Sequence, residues 1–408
     1  MKHKSFIPAV LSAALLASAI AVSAFYGSGK EPAVQTISAQ TPDSAEKTED
    51  EMKGVWITYM ELGMEHEKDK SEKAFTRKFE AIAETCKSFG FNTLIVQVRP
   101  FCDALYKSSY FPYSHVLTGV QGKNPGYDPL SIMCRVSREN NMKIHAWVNP
   151  YRISYNNVPK KLCGGNPYIR DKSLGIETDS TLFLNPSSEK AQALIENGVA
   201  ELVKNYDIDG VQFDDYFYPP DTENEDIDSY NNYRETSEGE VMSLEEWRKA
   251  NINLLMARCF IAVHKNGNNA VFGISPQGNL ENNAELFADV KSWCAARGYC
   301  DYICPQIYFS LDNPALGFEE ALNEWCALDL NGKTRLYAGL AGYKAGTDDD
   351  EGTWEYSDNV LSSEYNILKK NNKVSGIMLY SYSSLINDEA KKEMNNLKKQ
   401  LYSKTPPQ

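Results

Sequence analysis

The chain lacks the motifs that metal-dependent and serine-nucleophile chemistry leave in a sequence. Its 408 residues include five histidines, and neither a His-x-His nor a His-Glu-x-x-His pattern is among them. A metal-dependent hydrolase, a deacetylase included, is therefore not expected, and no metal or other cofactor is assigned. There is no Gly-x-Ser-x-Gly elbow and no phosphate-cradling glycine loop; the glycines of 339–346 are too loosely spaced to count as one. No inward strand position offers a lysine for a Schiff base. The nine cysteines are odd in number and scattered, and Cys300 and Cys304 lack a second pair to complete a zinc site. They read as small core residues, with at most one disulfide, as in a protein exported by a cell living in little oxygen. Basic charge is also scarce: 42 Lys and Arg stand against 55 Asp and Glu, a net charge of −13. Nucleic acid is not an expected partner of such a chain, whereas neutral or cationic substrates, many glycans among them, suit it.

Long apolar runs are absent after the first. Lys2 and Lys4 precede the run Phe6–Val22, which ends in Val22-Ser23-Ala24, small residues of the kind signal peptidase cuts after. Residues 1–24 are therefore expected to be a secretory signal, with an uncleaved N-terminal anchor as the alternative and the one route to a membrane. No cysteine in the first 30 residues could take a lipid. Residues 25–52, rich in Ser, Thr, Glu, Lys, Ala and Pro, have little to bury and read as a disordered tether. The expected location is secreted or extracellular, at the cell surface.

What is present from residue 53 is an alternation. Short β-branched or aromatic runs fall at about 54–59, 92–100, 143–152, 210–219, 270–278, 302–309, 335–344 and 376–385. Helical patterns lie at about 72–89, 128–141, 188–205, 243–265, 284–297, 315–328, 358–372 and 388–402. Eight strand-then-helix units predict an α/β fold, a (β/α)₈ TIM barrel over 53–402 with a short tail at 403–408. A doubly wound sheet is the rival, but its glycine-rich first turn is missing. The long connections, 101–127, 153–187, 220–242 and 345–356, all follow strands, so extended loops gather on the face where such barrels carry their sites.

Strand parity sorts the side chains. In the second run Leu94, Val96 and Val98 face the helices and Gln97 and Arg99 point inward. In the third, His145, Trp147 and Asn149 are inside. The fourth, Gly210-Val-Gln-Phe-Asp-Asp-Tyr-Phe-Tyr-Pro219, turns Gln212 and Asp214 inward and ends in adjacent carboxylates followed by aromatics. Gln306 and Tyr308 of the sixth and Tyr380 and Tyr382 of the eighth complete the set. A barrel with no site fills such positions with branched aliphatics.

Asp214 and Asp215 are the candidate catalytic groups, because glycosidic cleavage needs a protonated acid and a second group that stabilises or attacks the cationic sugar carbon. Adjacent acids raise one another's pKa when desolvated, which keeps one of them protonated. Candidate substrate-binding residues are Arg99, Asp103, His145, Trp147, Asn149, Arg152, Tyr216, Gln306, Tyr308 and Tyr380. Arg99 would grip an anionic group or balance Asp214, and Asp103 would bind sugar hydroxyls. The aromatics would stack on sugar rings. Asp103 reads equally well as a loop Asx-turn, and a lone histidine such as His145 is more often structural than catalytic.

Gly54-Val-Trp-Ile-Thr, Gln97-Val-Arg-Pro, Asp103-Ala-Leu-Tyr, Pro125-Gly-Tyr-Asp-Pro-Leu, His145-Ala-Trp-Val-Asn-Pro-Tyr-Arg, Asp209-Gly-Val-Gln-Phe-Asp-Asp-Tyr-Phe-Tyr-Pro, Gly273-Ile-Ser-Pro and Pro305-Gln-Ile-Tyr together resemble the glycosyl-hydrolase-like family 10. The resemblance runs in order over about 53–385. It implies a barrel glycosidase, a polysaccharide or oligosaccharide substrate, and catalytic acids at Asp214 and Asp215. It also implies action on N-acetylhexosamine-containing cell-wall glycan, since some members act on peptidoglycan strands stripped of their peptides. The sequence departs from the family's pattern at Gln277 and 279–283 and in the acidic run Asp348–Glu351, which puts the substrate in doubt and makes Glu281 and Glu351 possible second acids. A non-catalytic glycan-binding barrel at the cell surface is the alternative.

Overall fold

The computed structural model describes residues 51–178, 181–214, 217–218, 224–267 and 269–402. The expected signal, nearly all of the tether, the tail, Asp215 and Tyr216 lie outside them.

The strands are β1 (Met52–Ile57), β2 (Thr93–Arg99), β3 (Lys143–Val148), β4 (Arg152–Tyr155), β5 (Gly175–Glu177), β6 (Thr181–Leu184), β7 (Gly210–Phe213), β8 (Val271–Ile274), β9 (Tyr302–Ile303), β10 (Arg335–Ala341) and β11 (Val374–Tyr380). Eight close into a parallel barrel in the order β1-β11-β10-β9-β8-β7-β3-β2, one for each expected run. Their neighbours in the ring are neighbours in the chain, as repeated strand–helix crossovers require. β1 begins at Met52, and the preceding Glu51 already accepts from Tyr365 and Lys369.

The helices form where apolar periodicity meets a cap. Glu72–Phe89 starts at Ser71, whose hydroxyl accepts from Ala74 N, and stops at Gly90 with φ of 95°. Its Phe75, Phe79, Ile82, Ala83 and Cys86 fall on one buried stripe against the barrel. The expected helix at 284–297 is two pieces, Asn282–Glu285 and Val290–Ala295.

Two layers of core result. Outward side chains such as Leu94, Val96, Ile144, Ala146, Val211 and Phe213 pack under the helices. A separate interior cluster holds Trp56, Ile95, Trp147, Tyr302, Tyr337 and Met378. Bulky rings fit inside because glycines stand opposite them: a Cβ on Gly273 would lie 1.9 Å from the Tyr302 ring, and one on Gly210 2.9 Å from that of His145. All nine cysteines are free thiols, eight of them buried, consistent with their reading as small core residues.

The segment after β3 carries its own antiparallel sheet, β4-β6-β5, and the segment after β7 a helix, Ile227–Thr236. Both follow barrel strands, on the side where those strands end. Among the described residues no helix is long and apolar enough to cross a membrane.

Candidate active site

Asp214 leaves the end of β7 directly after Phe213 and is 4% exposed. Ser275 N donates to Phe213 O at 2.7 Å and fixes the backbone there. One carboxylate oxygen, Oδ2, accepts from Trp147 Nε1 at 3.1 Å and, in a short bond, from Asn149 Nδ2. Asn149 cannot flip, because its Oδ1 accepts from Gln97 Nε2 at 2.7 Å, and Gln97 Oε1 in turn accepts from Tyr59 N at 2.9 Å. Three strands and the turn after β1 thus orient a single carboxylate. Below it, Gln212 accepts from Trp56 Nε1 at 2.6 Å and fills the barrel centre.

An aromatic wall stands beside the acid. Tyr380 lies 6.2 Å from Trp56, 6.4 Å from Trp147, 5.9 Å from Tyr308 and 5.8 Å from Tyr343, centroid to centroid. Burial, and after it the negative charges of Glu61 and Asp214, push the Tyr380 phenol up to about 12 against the opposing effect of Arg152. It therefore stays a hydrogen-bond donor at any ordinary pH. Arg152 donates from Nε to Pro100 O at 2.8 Å and lies 4.8 Å over the Phe101 ring, at the edge of the mouth. Gln306 donates to Ser275 O at 3.2 Å and pairs in ladder fashion with Gln277 and Gly339.

The structure therefore gathers Asp214, Trp147, Asn149, Arg152, Gln306, Tyr308 and Tyr380 at one mouth. Three expected binding residues are not there. Arg99 faces outward, because β2 carries an extra residue at Val98: Gln97 pairs with Trp147, but Arg99 pairs with Val148. Its guanidinium lies 4.6 Å over Phe111, which packs on Gly198 of the helix Glu189–Asn205, and Nη2 donates to Pro150 O at 3.1 Å. Burial pulls its pKa below the ordinary arginine value. Asp103 is wholly buried under the loops, accepting from Gln121 Nε2 at 3.0 Å with His115 Nδ1 3.6 Å away. His145 lies too deep, at the base of the barrel beside Gly210, bonded to Tyr302 OH at 3.0 Å. Burial holds its pKa down at about 4, so the ring is neutral. Tyr382 also leaves the interior, since β11 ends at Tyr380 and Tyr382 opens the helix Tyr382–Ile386.

Sequence reasoning missed Glu61, Tyr59 and Tyr343. Glu61 closes a capping box with Thr58 and accepts from Ser381 Oγ at 2.8 Å, joining the first and last barrel loops. The Thr-x-x-Glu spacing was its legible signal. Glu281 and Glu351 are exposed on the surface.

The sequence and the fold both have known relatives. The sequence model of the family described as "Glycosyl hydrolase-like 10" matches residues 51–356. The glycosyl hydrolase YngK of Bacillus subtilis is 33% identical over 312 residues, 72% of this chain and 61% of that protein. The glycosyl hydrolase DigH of Escherichia coli K12 is 34% identical over 283 residues, 63% of each. The chain thus spans less than two thirds of the length of these relatives. Among solved structures, the PgaB (BpsB) glycoside hydrolase domain from Bordetella bronchiseptica superposes with a TM-score of 0.59 at 12% identity, over 85% of this chain and 99% of that one. An α-L-fucosidase from Paenibacillus thiaminolyticus gives 0.58 at 12% identity, over 87% and 50%. At such identities the likeness is one of fold.

Proposed function

The chain belongs to the glycosyl hydrolase-like 10 family, and from that membership and the geometry of its mouth we propose that it hydrolyses O-glycosidic bonds of an N-acetylhexosamine-containing cell-wall glycan outside the cell. The observation that carries this reading is the clamped Asp214 carboxylate beside the Tyr380–Tyr308–Tyr343 wall. An acid fixed by two N–H donors next to aromatic faces is suited to hold a sugar and act on it.

In this reading Asp215 is the acid and Asp214 the orienting group. Asp215 gives its proton to the leaving glycosidic oxygen as the bond from that oxygen to the anomeric carbon breaks. The carbonyl oxygen of the substrate's own acetamido group bonds to the anomeric carbon, while Asp214 accepts from the amide N–H and stabilises the positive charge. Water then attacks the anomeric carbon, its proton returns to Asp215, and the acetamido group is released. Configuration is retained. Trp147 and Asn149 keep Asp214 from turning away between steps. Export by residues 1–24, with 25–52 as a tether, would place the domain at its substrate.

The test is peptide-free wall glycan incubated with Asp214→Asn and Asp215→Asn. Each variant should lose at least about 100-fold in kcat. Activity surviving in both would sink the mechanism, and a wild-type chain that retains glycan without shortening it would make the domain a binding module.

A further inference from the structure

A second cavity of about 290 Å³ adjoins the mouth, lined among others by Tyr155, Phe183, Phe217, Gln277, Asn282 and Glu285. It lies between the β4-β6-β5 sheet and the turn after β8. Arg152 forms its border with the mouth, and Gln277 pairs in ladder fashion with Gln306 of the mouth itself. Its volume is near the lower end of small-molecule sites, about 300 Å³ and upward, which suits one sugar unit.

The lining has two characters. Phe183 and Phe217 are buried and supply an apolar floor, and Tyr155, 44% exposed, supplies an open ring at the entrance. Across from them Asn282 Nδ2 donates to Gln277 Oε1 at 3.2 Å. That bond lies at the exposed rim and uses one donor of Asn282 and one acceptor of Gln277. It leaves the Gln277 N–H₂ and the Asn282 carbonyl oxygen to pair with a ligand. The Gln277 backbone is itself held, its N–H donating to Asn283 Oδ1 at 3.1 Å. A donor and an acceptor set side by side over an apolar floor complement an acetamido group: its carbonyl, its N–H and its methyl. Glu285 adds a negative charge on the rim, which disfavours an acidic substituent.

We propose that this cavity is a subsite for an uncharged N-acetylhexosamine unit of the same glycan chain, away from the bond that is cleaved, recognised through its acetamido group by Gln277 and Asn282. The inference rests on the reading of the mouth as a glycosidase site. The subsite selects N-acetylated chains and sets the register in which they cross the mouth.

The test is calorimetric titration of the full chain carrying Asp214→Asn with the β-1,4-linked tetrasaccharide of N-acetylglucosamine, with and without Asn282→Ala or Gln277→Ala. Each should raise Kd about fivefold, the equivalent of one hydrogen bond. Saturation-transfer NMR should show the acetyl methyl signals weakened in both. Tyr155→Ala, at an exposed position that cannot unfold the core, should raise Kd as well. Kd within twofold of the parent in all three, or no binding by the parent, would overturn the subsite. Wild-type protein that leaves wall glycan intact would instead overturn the reading of the mouth. Because the titration does not depend on turnover, the two failures are told apart.

Discussion

Trp147 and Asp214, on neighbouring strands of the barrel, meet at 3.1 Å with the indole N–H pointing at one carboxylate oxygen that Asn149 also holds. A hydrogen bond to a charged acceptor contributes about 1.5–3 kcal/mol. Trp147→Phe keeps the ring against Tyr380 but removes the donor, so kcat should fall about 10- to 100-fold with KM little changed. Asn149→Leu should cost a similar factor. Both donors act on the same oxygen, so the double variant should lose less than the product of the two. Fully multiplicative losses would mean that the two residues act on separate steps.

His145 should matter for stability and not for binding. Its folded pKa of about 4 lies below the ordinary 6.5, through burial. The folded chain therefore refuses a proton that the unfolded chain accepts. The stabilisation is present above pH 6.5 and is lost as pH falls toward 4, by up to about 3 kcal/mol. His145→Gln should shrink the drop in Tm between pH 7 and pH 5 relative to wild type, with KM for glycan unchanged. An unaltered drop, or a large rise in KM, would contradict the position described for the ring.

Glu393 works in the opposite sense. It accepts from Leu361 N at 2.8 Å and Val360 N at 3.1 Å, capping the helix Val360–Lys370 in place of Asn359. Burial outweighs those donors and pushes the carboxyl up to about 7 from 4.5. An acid with a raised folded pKa stabilises most below pH 4.5 and loses that contribution as pH rises through 7. Glu393→Gln keeps an acceptor and cannot ionise. Urea unfolding at pH 5 and pH 8 should show the variant gaining on wild type at the higher pH, by up to about 3 kcal/mol. An equal gap at both values would show that the Glu393 carboxyl is not raised in the folded chain and ionises there as it does in the unfolded one.

The parts of this protein legible in its sequence are those governed by period. Runs of β-branched and aromatic residues located all eight barrel strands, and parity alone turned Trp147, Asn149 and Asp214 inward together. Arg99 was misplaced because one extra residue at Val98 reverses parity without leaving a mark in composition. Asp103 was misplaced because burial of a loop depends on the other loops, here Gln121 and His115 above it. The β4-β6-β5 sheet went unseen since strands of three and four residues are too short to show a period. His145 was correctly turned inward, but depth along the barrel axis depends on register with β7, which no single strand contains.

Tyr343 continues the wall of the mouth outward and is 44% exposed, with its ring edge-on to both Tyr308 and Tyr380 at 5.8 Å. It lies on the side of β10 and β11, across the barrel from the cavity bordered by Arg152. A glycan spanning the mouth would therefore rest one flank on Tyr343, away from the reacting carbon. Contact there is equal in ground and transition states, so its loss raises KM and spares kcat. Tyr343→Ala should raise KM for long glycan about five- to tenfold, in line with the ~1–1.5 kcal/mol of an aromatic face. Tyr343→Phe should keep wild-type KM, because the ring and not the hydroxyl makes the contact. A fall in kcat with KM unchanged would instead place Tyr343 among the groups that position the reacting sugar.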